Sequence, residues 1–247
     1  RFRQDINVDA LITNKSASRD LIDFLKVAVE QRQNIVVAGG TGAGKTTWLN
    51  NLASFIPVDQ SIITIEDPAE LQLQHPDVRR LEARDANIEG KGRVTLAQLV
   101  TDALRMKPDR IILGEGRSEE AIDMLQAMNT GHDGSLTTIH CNSAEHGIIR
   151  LVNMVEQAGM NIPHDAIMDQ INDVIDLILF VKQDRKTGRK RLDHIIEIVG
   201  VKKALDGRTI DVLTNRLWQY DTSKDDWVWV GKNFSRQEKF EMGGWQW

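Results

Sequence analysis

The sequence lacks the residues that stabilise disulfide-rich or membrane-spanning proteins. Its single cysteine, Cys141, cannot form a disulfide within the chain and excludes a multi-cysteine zinc site. One cysteine also fits a reducing compartment such as the cytoplasm. The most apolar run, residues 174–181, contains Asp176 and is too short for the roughly 20 residues that cross a bilayer. We therefore expect neither a disulfide scaffold nor a transmembrane helix.

The sequence also lacks an excess of positive charge. It has 31 Lys and Arg against 36 Asp and Glu, a net charge of −5, and such a field repels nucleic acid and anionic lipid unless a local basic patch reverses it. Hydrophobic residues make up 41% and charged residues 27%, which is typical of a globular protein rather than a disordered one. The 247 residues allow one large domain or two small ones.

Short β-branched runs alternate with segments whose apolar residues recur at helical spacing. This alternation predicts an α/β fold with a mainly parallel central sheet. The predicted strands are 34–40, 61–66, 78–83, 110–114 and 135–140. The predicted helices are 18–34, 45–55, 96–107, 118–129, 143–159 and 163–173.

The pattern changes after residue 173. Strand-like runs separated by short turns, among them Asp206–Gly207, predict a small antiparallel β-rich region. Eight of the chain's 13 aromatic residues lie in 218–247 and should pack on the domain or form an interface. The predicted units are a linker or the remnant of a further domain over 1–17, a main α/β domain over 18–200 and a β-rich, Trp-rich extension over 201–247.

A glycine-rich loop lies between the first predicted strand and the helix that follows it. The segment GGTGAGKTT matches G-x-x-x-x-G-K-[ST] in the strand-to-helix context that such a phosphate-binding loop requires. Its glycines permit positive φ, so that successive N–H groups point at one anion. Lys45 supplies a charge for the β- and γ-phosphates, and the Thr46 hydroxyl suits Mg²⁺. The predicted nucleotide-binding residues are Gly39, Gly40, Thr41, Gly42, Ala43, Gly44, Lys45, Thr46 and Thr47.

Acidic residues follow two predicted core strands. Glu115 ends the run RIILGEGR, and Glu66 and Asp67 come directly after SIITI. Because the carboxyl ends of parallel strands border the ligand crevice of an open α/β sheet, these acids should lie near the loop. Carboxylates there hold Mg²⁺ or orient water. We predict that Glu115 and Glu66 are catalytic residues. We also predict that these two acids bind Mg²⁺ together with Thr46.

Two histidines flank the strand SLTTIH. His140 ends the strand and His132 precedes it, and each is a candidate to contact a γ-phosphate. The remaining histidines are expected to be packed or on the surface. The sequence has no H-x-x-x-H or Cys/His spacing typical of a bound metal.

Four stretches together resemble a known family. In order they are GGTGAGKTT, ITIEDPAELQLQ, LRMKPDRIILGEGR and AMNTGHDGSLTTIHCNS. They are similar to the Walker A, Asp box, Walker B and His box of the ATPases that power type II and type IV secretion and type IV pili. The nearest likeness is to the CpaF/TadA-type ATPase of tight-adherence pili, and it runs from about Arg1 to about Tyr220.

The resemblance implies a RecA-like P-loop ATPase that uses ATP and Mg²⁺. It assigns Lys45 and Thr46 to nucleotide and metal, Glu115 and Glu66 to catalysis, and His132 and His140 to the His box. It also implies a hexameric ring at the cytoplasmic face of the bacterial inner membrane, attached through a membrane platform protein. The family's N-terminal domain has no counterpart, and residues 1–3 resemble the end of it. Arginine-finger candidates are Arg79, Arg80, Arg84, Arg105 and Arg117.

Other functions remain open at the level of sequence. A nucleic-acid translocase shares the RecA-like core, and a basic cluster favours it: Arg185, Lys186, Arg189, Lys190 and Arg191. An ATP-binding scaffold with little activity would keep the loop without needing the acids. A small-molecule kinase would need an acceptor site and a lid, for which no segment is evident.

Overall fold

The structure is a computed structural model that describes residues 7–116 and 120–246. Its helices are α1 (Val8–Thr13), α2 (Arg19–Glu30), α3 (Lys45–Ala53), α4 (Leu96–Arg105), α5 (Glu120–Asn129), α6 (Ala144–Gln157), α7 (His164–Val174) and α8 (Gln237–Met242). Its strands are β1 (Ile35–Gly39), β2 (Ile62–Glu66), β3 (Val78–Glu82), β4 (Arg110–Gly116), β5 (Leu136–His140), β6 (Leu177–Gln183), β7 (Lys190–Lys203), β8 (Thr209–Asp221) and β9 (Asp226–Trp229).

The strands form one sheet in the order β3-β2-β4-β5-β1-β6-β7-β8-β9. The first six strands in this order, β3, β2, β4, β5, β1 and β6, pair in parallel. The strands β7, β8 and β9 continue the sheet from β6, each antiparallel to the one before it. The predicted α/β fold, with a mainly parallel sheet and antiparallel C-terminal strands, is confirmed. Because β1, β2, β4 and β5 are parallel, their carboxyl ends lie at one edge of the sheet.

Two hydrophobic cores cover the two faces of the sheet. Alternation along β1 sends Ile35 and Val37 into one core and Val36 and Ala38 into the other. The first core contains buried residues of α2, α3 and α8, and the second contains those of α4, α5, α6 and α7. Helices on both faces explain why the central strands are hydrophobic throughout rather than alternately polar.

The aromatic C-terminal segment packs on α2. Phe24, which is fully buried, has five rings around it at centroid distances from 4.9 to 6.1 Å. These rings belong to Trp218, Trp229, Phe234, Phe240 and Trp245. Packing, one of the two outcomes expected for this segment, is therefore what the described tail residues show.

The predicted division of the chain into three units stays a prediction. The boundary expected at residue 200 lies inside β7, and the sheet continues across it into β8 and β9. The segment expected as a linker over 1–17 contains α1, whose N-cap Asn7 accepts a hydrogen bond from the Ala10 N–H. Among the described residues, no helix has both the length and the apolar character that a bilayer crossing requires.

Candidate active site

Helix α3 begins directly after the glycine loop and without a side-chain cap. Its N-cap is Gly44, with φ of 102° in the left-handed region that favours glycine. Among the described residues, no capping side chain bonds the first N–H groups of the helix. Four other helices start with a capping side chain, from Asn7, Ser18, Thr95 and Ser143. The first N–H groups of a helix lack partners within it, so those of α3 are directed at the site and suited to an anion.

Lys45 lies in the loop, 9% exposed, with its ammonium facing inward. Its Nζ donates to the carbonyl oxygens of Gly39 and Gly40 at 3.2 and 3.3 Å. The same atom lies 3.2 Å from Nε2 of His140 at the end of β5. Burial lowers the pKa of Lys45, and the negative charge of Glu115 opposes this shift. The lysine is thus held inside the loop, near the acids at the edge of the sheet.

Glu115 enters the site because β4 is irregular at this point. The pairing of β4 with β5 shifts register between Leu113 and Gly116, as in a β-bulge, which re-aims the side chain between them. The Thr138 hydroxyl donates to the Gly114 carbonyl at 2.7 Å and ties the irregular segment to β5. Glu115 Oε1 lies 2.5 Å from His140 Nε2. Lys45, His140 and Glu115 therefore form one contiguous polar cluster.

Glu66 ends β2 beside this cluster and is 4% exposed. Its Oε1 accepts hydrogen bonds from the backbone N–H groups of Glu70 and Leu71, both at 2.8 Å. Burial raises the pKa of Glu66, and these two hydrogen bonds oppose the rise. A Cβ at Gly114 would lie 2.9 Å from Glu66 Cγ, so the glycine allows the two strand ends to approach. Glu66 thus both faces the site and fixes the loop that follows β2.

These residues line a common cavity of about 490 Å³. The charged side chains around it are Lys45, Glu66, Asp67, Glu70, Glu115 and Lys190, and His140 and the Thr46 hydroxyl lie beside them. A second cavity of about 530 Å³ lies between α1 and α3 and shares Gly44, Thr47, Glu70 and Lys190 with the first. The structure therefore brings together most of the predicted site residues, including the loop, Glu66, Glu115 and His140.

The oxygen atoms near the loop are ligands of the kind that a hard divalent cation such as Mg²⁺ binds. The Thr46 hydroxyl donates to Glu70 Oε2 at 3.4 Å, and Glu66 and Glu115 lie on the same cavity. In the part of the chain that the structure describes, no group of three His, Cys, Asp or Glu residues could hold a metal on its own. Mg²⁺ at such a site would take its remaining ligands from phosphate and water.

One predicted catalytic residue, His132, is not part of this cluster. His132 precedes β5 at the amino end of the strand, whereas the loop follows the carboxyl end of the parallel strand β1. Its backbone carbonyl accepts the Ser135 hydroxyl, so it lies at the opposite edge of the sheet and does not reach the loop of its own chain. Strand direction separates the two histidines that the motif joins in sequence. Arg117, the predicted catalytic arginine, lies outside the described residues.

Some residues of the site were not singled out for it from the sequence. Glu70, which contacts Thr46, belongs to the stretch after β2 but carried no predicted role. Lys190 was assigned to a basic turn, although its side chain packs over Gly44. The position of Lys190 beside the loop depends on the pairing of β1 with β6 and of β6 with β7, which no local pattern reveals.

Comparisons with known proteins agree on one family. The family model described as type II/IV secretion system protein matches residues 2–210. A putative conjugal transfer protein of Mycobacterium tuberculosis, Rv3659c, is 39% identical over 80% of this chain and 53% of its own length. The type IV secretion system protein VirB11 of Brucella suis is 41% identical over 72% of this chain and 50% of its own length. The chain thus spans about half the length of these relatives.

Solved structures show the same fold. The VirB11 ATPase of the Brucella suis type IV secretion system, in complex with sulphate, superposes with a TM-score of 0.64 at 38% identity, over 76% of this chain and 54% of that one. The pilus retraction motor PilT with bound ADP superposes with a TM-score of 0.52 at 24% identity, over 87% of this chain and 53% of that one. The second likeness supports the RecA-like fold alone. The particular likeness to CpaF/TadA-type ATPases stays a prediction.

Proposed function

The chain belongs to the type II/IV secretion system protein family, and we propose that it is the catalytic part of an ATP-hydrolysing secretion motor. The observation that carries this proposal is the cluster of Lys45, His140 and Glu115 beside the uncapped start of α3. The cluster combines a cradle of N–H groups, an inward-facing cation and a carboxylate, which phosphoryl transfer to water requires.

The proposed chemistry follows from the positions of these groups. The loop N–H groups and Lys45 bind the β- and γ-phosphates of ATP. Thr46, together with Glu66 or Glu115, would hold Mg²⁺, which neutralises phosphate charge when it is bound. Glu115 accepts a hydrogen bond from a water, whose oxygen attacks the γ-phosphorus as the bond to the ADP oxygen breaks. His140 contacts both Lys45 and Glu115. A γ-phosphate bound beside His140 would therefore affect both side chains through it.

Assembly and location complete the proposal. By analogy with the secretion proteins it resembles, the chain acts as a homo-oligomer, a hexamer in the simplest case. It couples hydrolysis to export of pilin or another substrate through a platform protein at the cytoplasmic face of the bacterial inner membrane. The chain covers only about half of each relative, so assembly, export and location are part of this proposal.

The basic turn between β6 and β7 gives little support to nucleic-acid translocation. Arg189 forms an ion pair with Asp225 at 2.7 Å, and Arg191 forms one with Asp184 at 3.3 Å. Arg191 also lies 4.1 Å over the ring of Tyr220. Two of the five cations that favoured the translocase are therefore neutralised within the chain, and the net charge of −5 still opposes polyanion binding.

Two substitutions test the proposed roles of the cluster. Lys45→Ala should weaken ATP binding by about 10-fold to 100-fold, because one charged contact to phosphate is lost, and should remove turnover with it. Glu115→Gln should bind ATP normally but lose about 10²-fold or more in turnover, because its role is confined to the transition state. Equilibrium ATP titration and phosphate release measure the two effects. Normal turnover by Glu115→Gln would transfer the water-positioning role to Glu66.

A further inference from the structure

Lys190 is a second cation at the glycine loop. It is the first residue of β7 and pairs with Gln183 of β6, the strand that lies next to β1. Its Cδ would lie 3.5 Å from a Cβ placed on Gly44, so its aliphatic stem packs over the residue that caps α3. The side chain of Lys190 therefore lies beside the amino end of α3 and lines the loop cavity.

The backbone of Lys190 is held in place from both sides. Its carbonyl accepts the Ser16 hydroxyl at 2.7 Å, and the neighbouring Leu192 N–H donates to the Ser16 carbonyl at 3.0 Å. Ser16 lies between α1 and α2, so the segment before α2 fixes the start of β7 against the loop. This anchoring makes the position of Lys190 a property of the fold rather than of a free surface turn.

The side chain of Lys190 differs from its basic neighbours in its contacts. Its basic neighbours Arg189 and Arg191 pair with Asp225 and Asp184. Within residues 7–116 and 120–246, the Lys190 side chain makes no hydrogen bond or ion pair. Glu70, the acid that lines both cavities with it, accepts the Thr46 hydroxyl instead.

A cation near a helix amino end is electrostatically unfavourable, because the helix dipole is positive there. The acids that line the same cavity are Glu66, Asp67, Glu70 and Glu115, and among the described residues none of them forms an ion pair with Lys190. A polyphosphate that extends across Gly44 would place an anion against Lys190. The two cavities share Gly44, Thr47, Glu70 and Lys190, and this shared lining marks the path of such an extended ligand.

We propose that Lys190 binds the α- or β-phosphate of the nucleotide, opposite Lys45 across Gly44. This inference rests on the proposed nucleotide site. Lys45, His140 and Glu115 surround the end of the cavity where the γ-phosphate reacts, whereas Lys190 stands where the first cavity joins the second. Lys190 thus contacts the phosphates that ATP and ADP share, and it contributes to affinity rather than to the chemical step.

The test compares nucleotide binding by Lys190→Met and Lys190→Arg with the wild type. Methionine keeps a stem to pack over Gly44 and removes only the charge, whereas arginine retains the charge. The matched control is Lys186→Met, which removes a lysine from the same turn at an exposed position. Dissociation constants for Mg·ADP and Mg·ATP are measured by calorimetric titration, and kcat and KM by phosphate release.

Lys190→Met should raise the dissociation constants of ADP and ATP equally, by about tenfold, since one charge-assisted contact is lost. KM should rise, while kcat stays within about twofold of the wild-type value. Lys190→Arg should restore binding, and Lys186→Met should bind like the wild type. If Lys190→Met does not fold, as judged by thermal denaturation, Lys190→Gln is measured in its place.

Three results would overturn the inference: unchanged binding by Lys190→Met, a loss restricted to ATP, or an equal loss in Lys186→Met. Unchanged binding by Lys190→Met alongside weak binding by Lys45→Ala would remove the role of Lys190 and leave the proposed function intact. A wild-type chain that binds neither ADP nor ATP would remove both.

Discussion

Gly114 shows how one residue without a side chain supports the candidate site. It lies at the irregular end of β4, and a Cβ there would approach Glu66 Cγ to 2.9 Å. Glu66 cannot move freely, because its Oε1 is bonded to the N–H groups of Glu70 and Leu71. Gly116, two residues on, has room, since a Cβ there would meet nothing closer than 3.8 Å.

Gly114→Ala should therefore displace Glu66 and the loop that it holds. We expect turnover to fall about tenfold or more, because small displacements of catalytic groups are costly, while nucleotide binding through Lys45 changes little. Gly116→Ala is the matched control and should remain close to the wild type in both respects. Steady-state kinetics with ADP titrations measure the difference. Equal activity of the two alanine variants would show that Glu66 tolerates displacement.

At the scale of elements, a charged contact joins α6 to the antiparallel part of the sheet. Glu145, in the first turn of α6, binds Arg216 of β8 and lies 3.6 Å from Nε2 of the buried His194. Burial acts to raise the pKa of Glu145, but hydrogen bonds from its own backbone N–H and from Arg216 outweigh it. The pKa falls to about 2 from the ordinary 4.5.

This contact should stabilise the fold in a pH-dependent way. Because the folded pKa of Glu145 is below the unfolded one, the unfolded chain binds more protons between these two values. The contribution is therefore present above pH 4.5 and lost as the pH falls toward about 2. The free energy of unfolding, measured by urea denaturation for the wild type and Glu145→Gln, should differ most near neutral pH. A difference that stays constant down to about pH 2 would contradict the assignment.

The C-terminal elements are joined to the same sheet by buried contacts. The Trp227 indole N–H donates to the Leu192 carbonyl at 2.6 Å, and Arg236 bridges Asp176 and the fully buried Glu197 at 2.8 and 3.2 Å. Phe240 of the short helix α8 is fully buried and stacks on Phe24. The elements that follow residue 210, where the family match ends, thus contribute to the hydrophobic core.

At the scale of the whole molecule, one chain supplies the loop, the acids and His140, but His132 faces the opposite edge of its sheet. Among the described arginines, none lines the cavity that contains Lys45 and Glu115. An arginine supplied by a neighbouring subunit is the known means of stabilising charge in phosphoryl transfer, worth about 10³ to 10⁵ in rate. A ring of subunits is therefore the assembly in which we expect full activity.

ATP turnover per subunit should accordingly rise with protein concentration. The increase should follow oligomer formation, because a site completed between subunits is active only when they meet. Phosphate release measured across a dilution series, with oligomer mass recorded by light scattering at each point, makes the comparison. A rate per subunit that stays flat while the mass falls would refute completion of the site between subunits.

Local patterns were sufficient to predict the fold class and the glycine loop. The loop motif depends on adjacent residues, and the alternation of strands and helices depends on periodicity, so both are written along the chain. Glu66, Glu115 and His140 were also predicted as neighbours, because parallel strands place their carboxyl ends together. These features follow from adjacency, periodicity and strand direction, which can be read from the sequence.

Other features of the site depend on how the strands pair in the folded sheet. His132 precedes β5 and His140 ends it, so the two histidines lie at opposite ends of the strand, which a motif that names both cannot distinguish. Lys190 reaches Gly44 through two successive strand pairings, and Gly114 is constrained by a side chain of another strand. These contacts join residues far apart in the chain. Sequence alone determined which chemical groups this protein carries, because they are fixed residue by residue, whereas tertiary packing determined which of them meet.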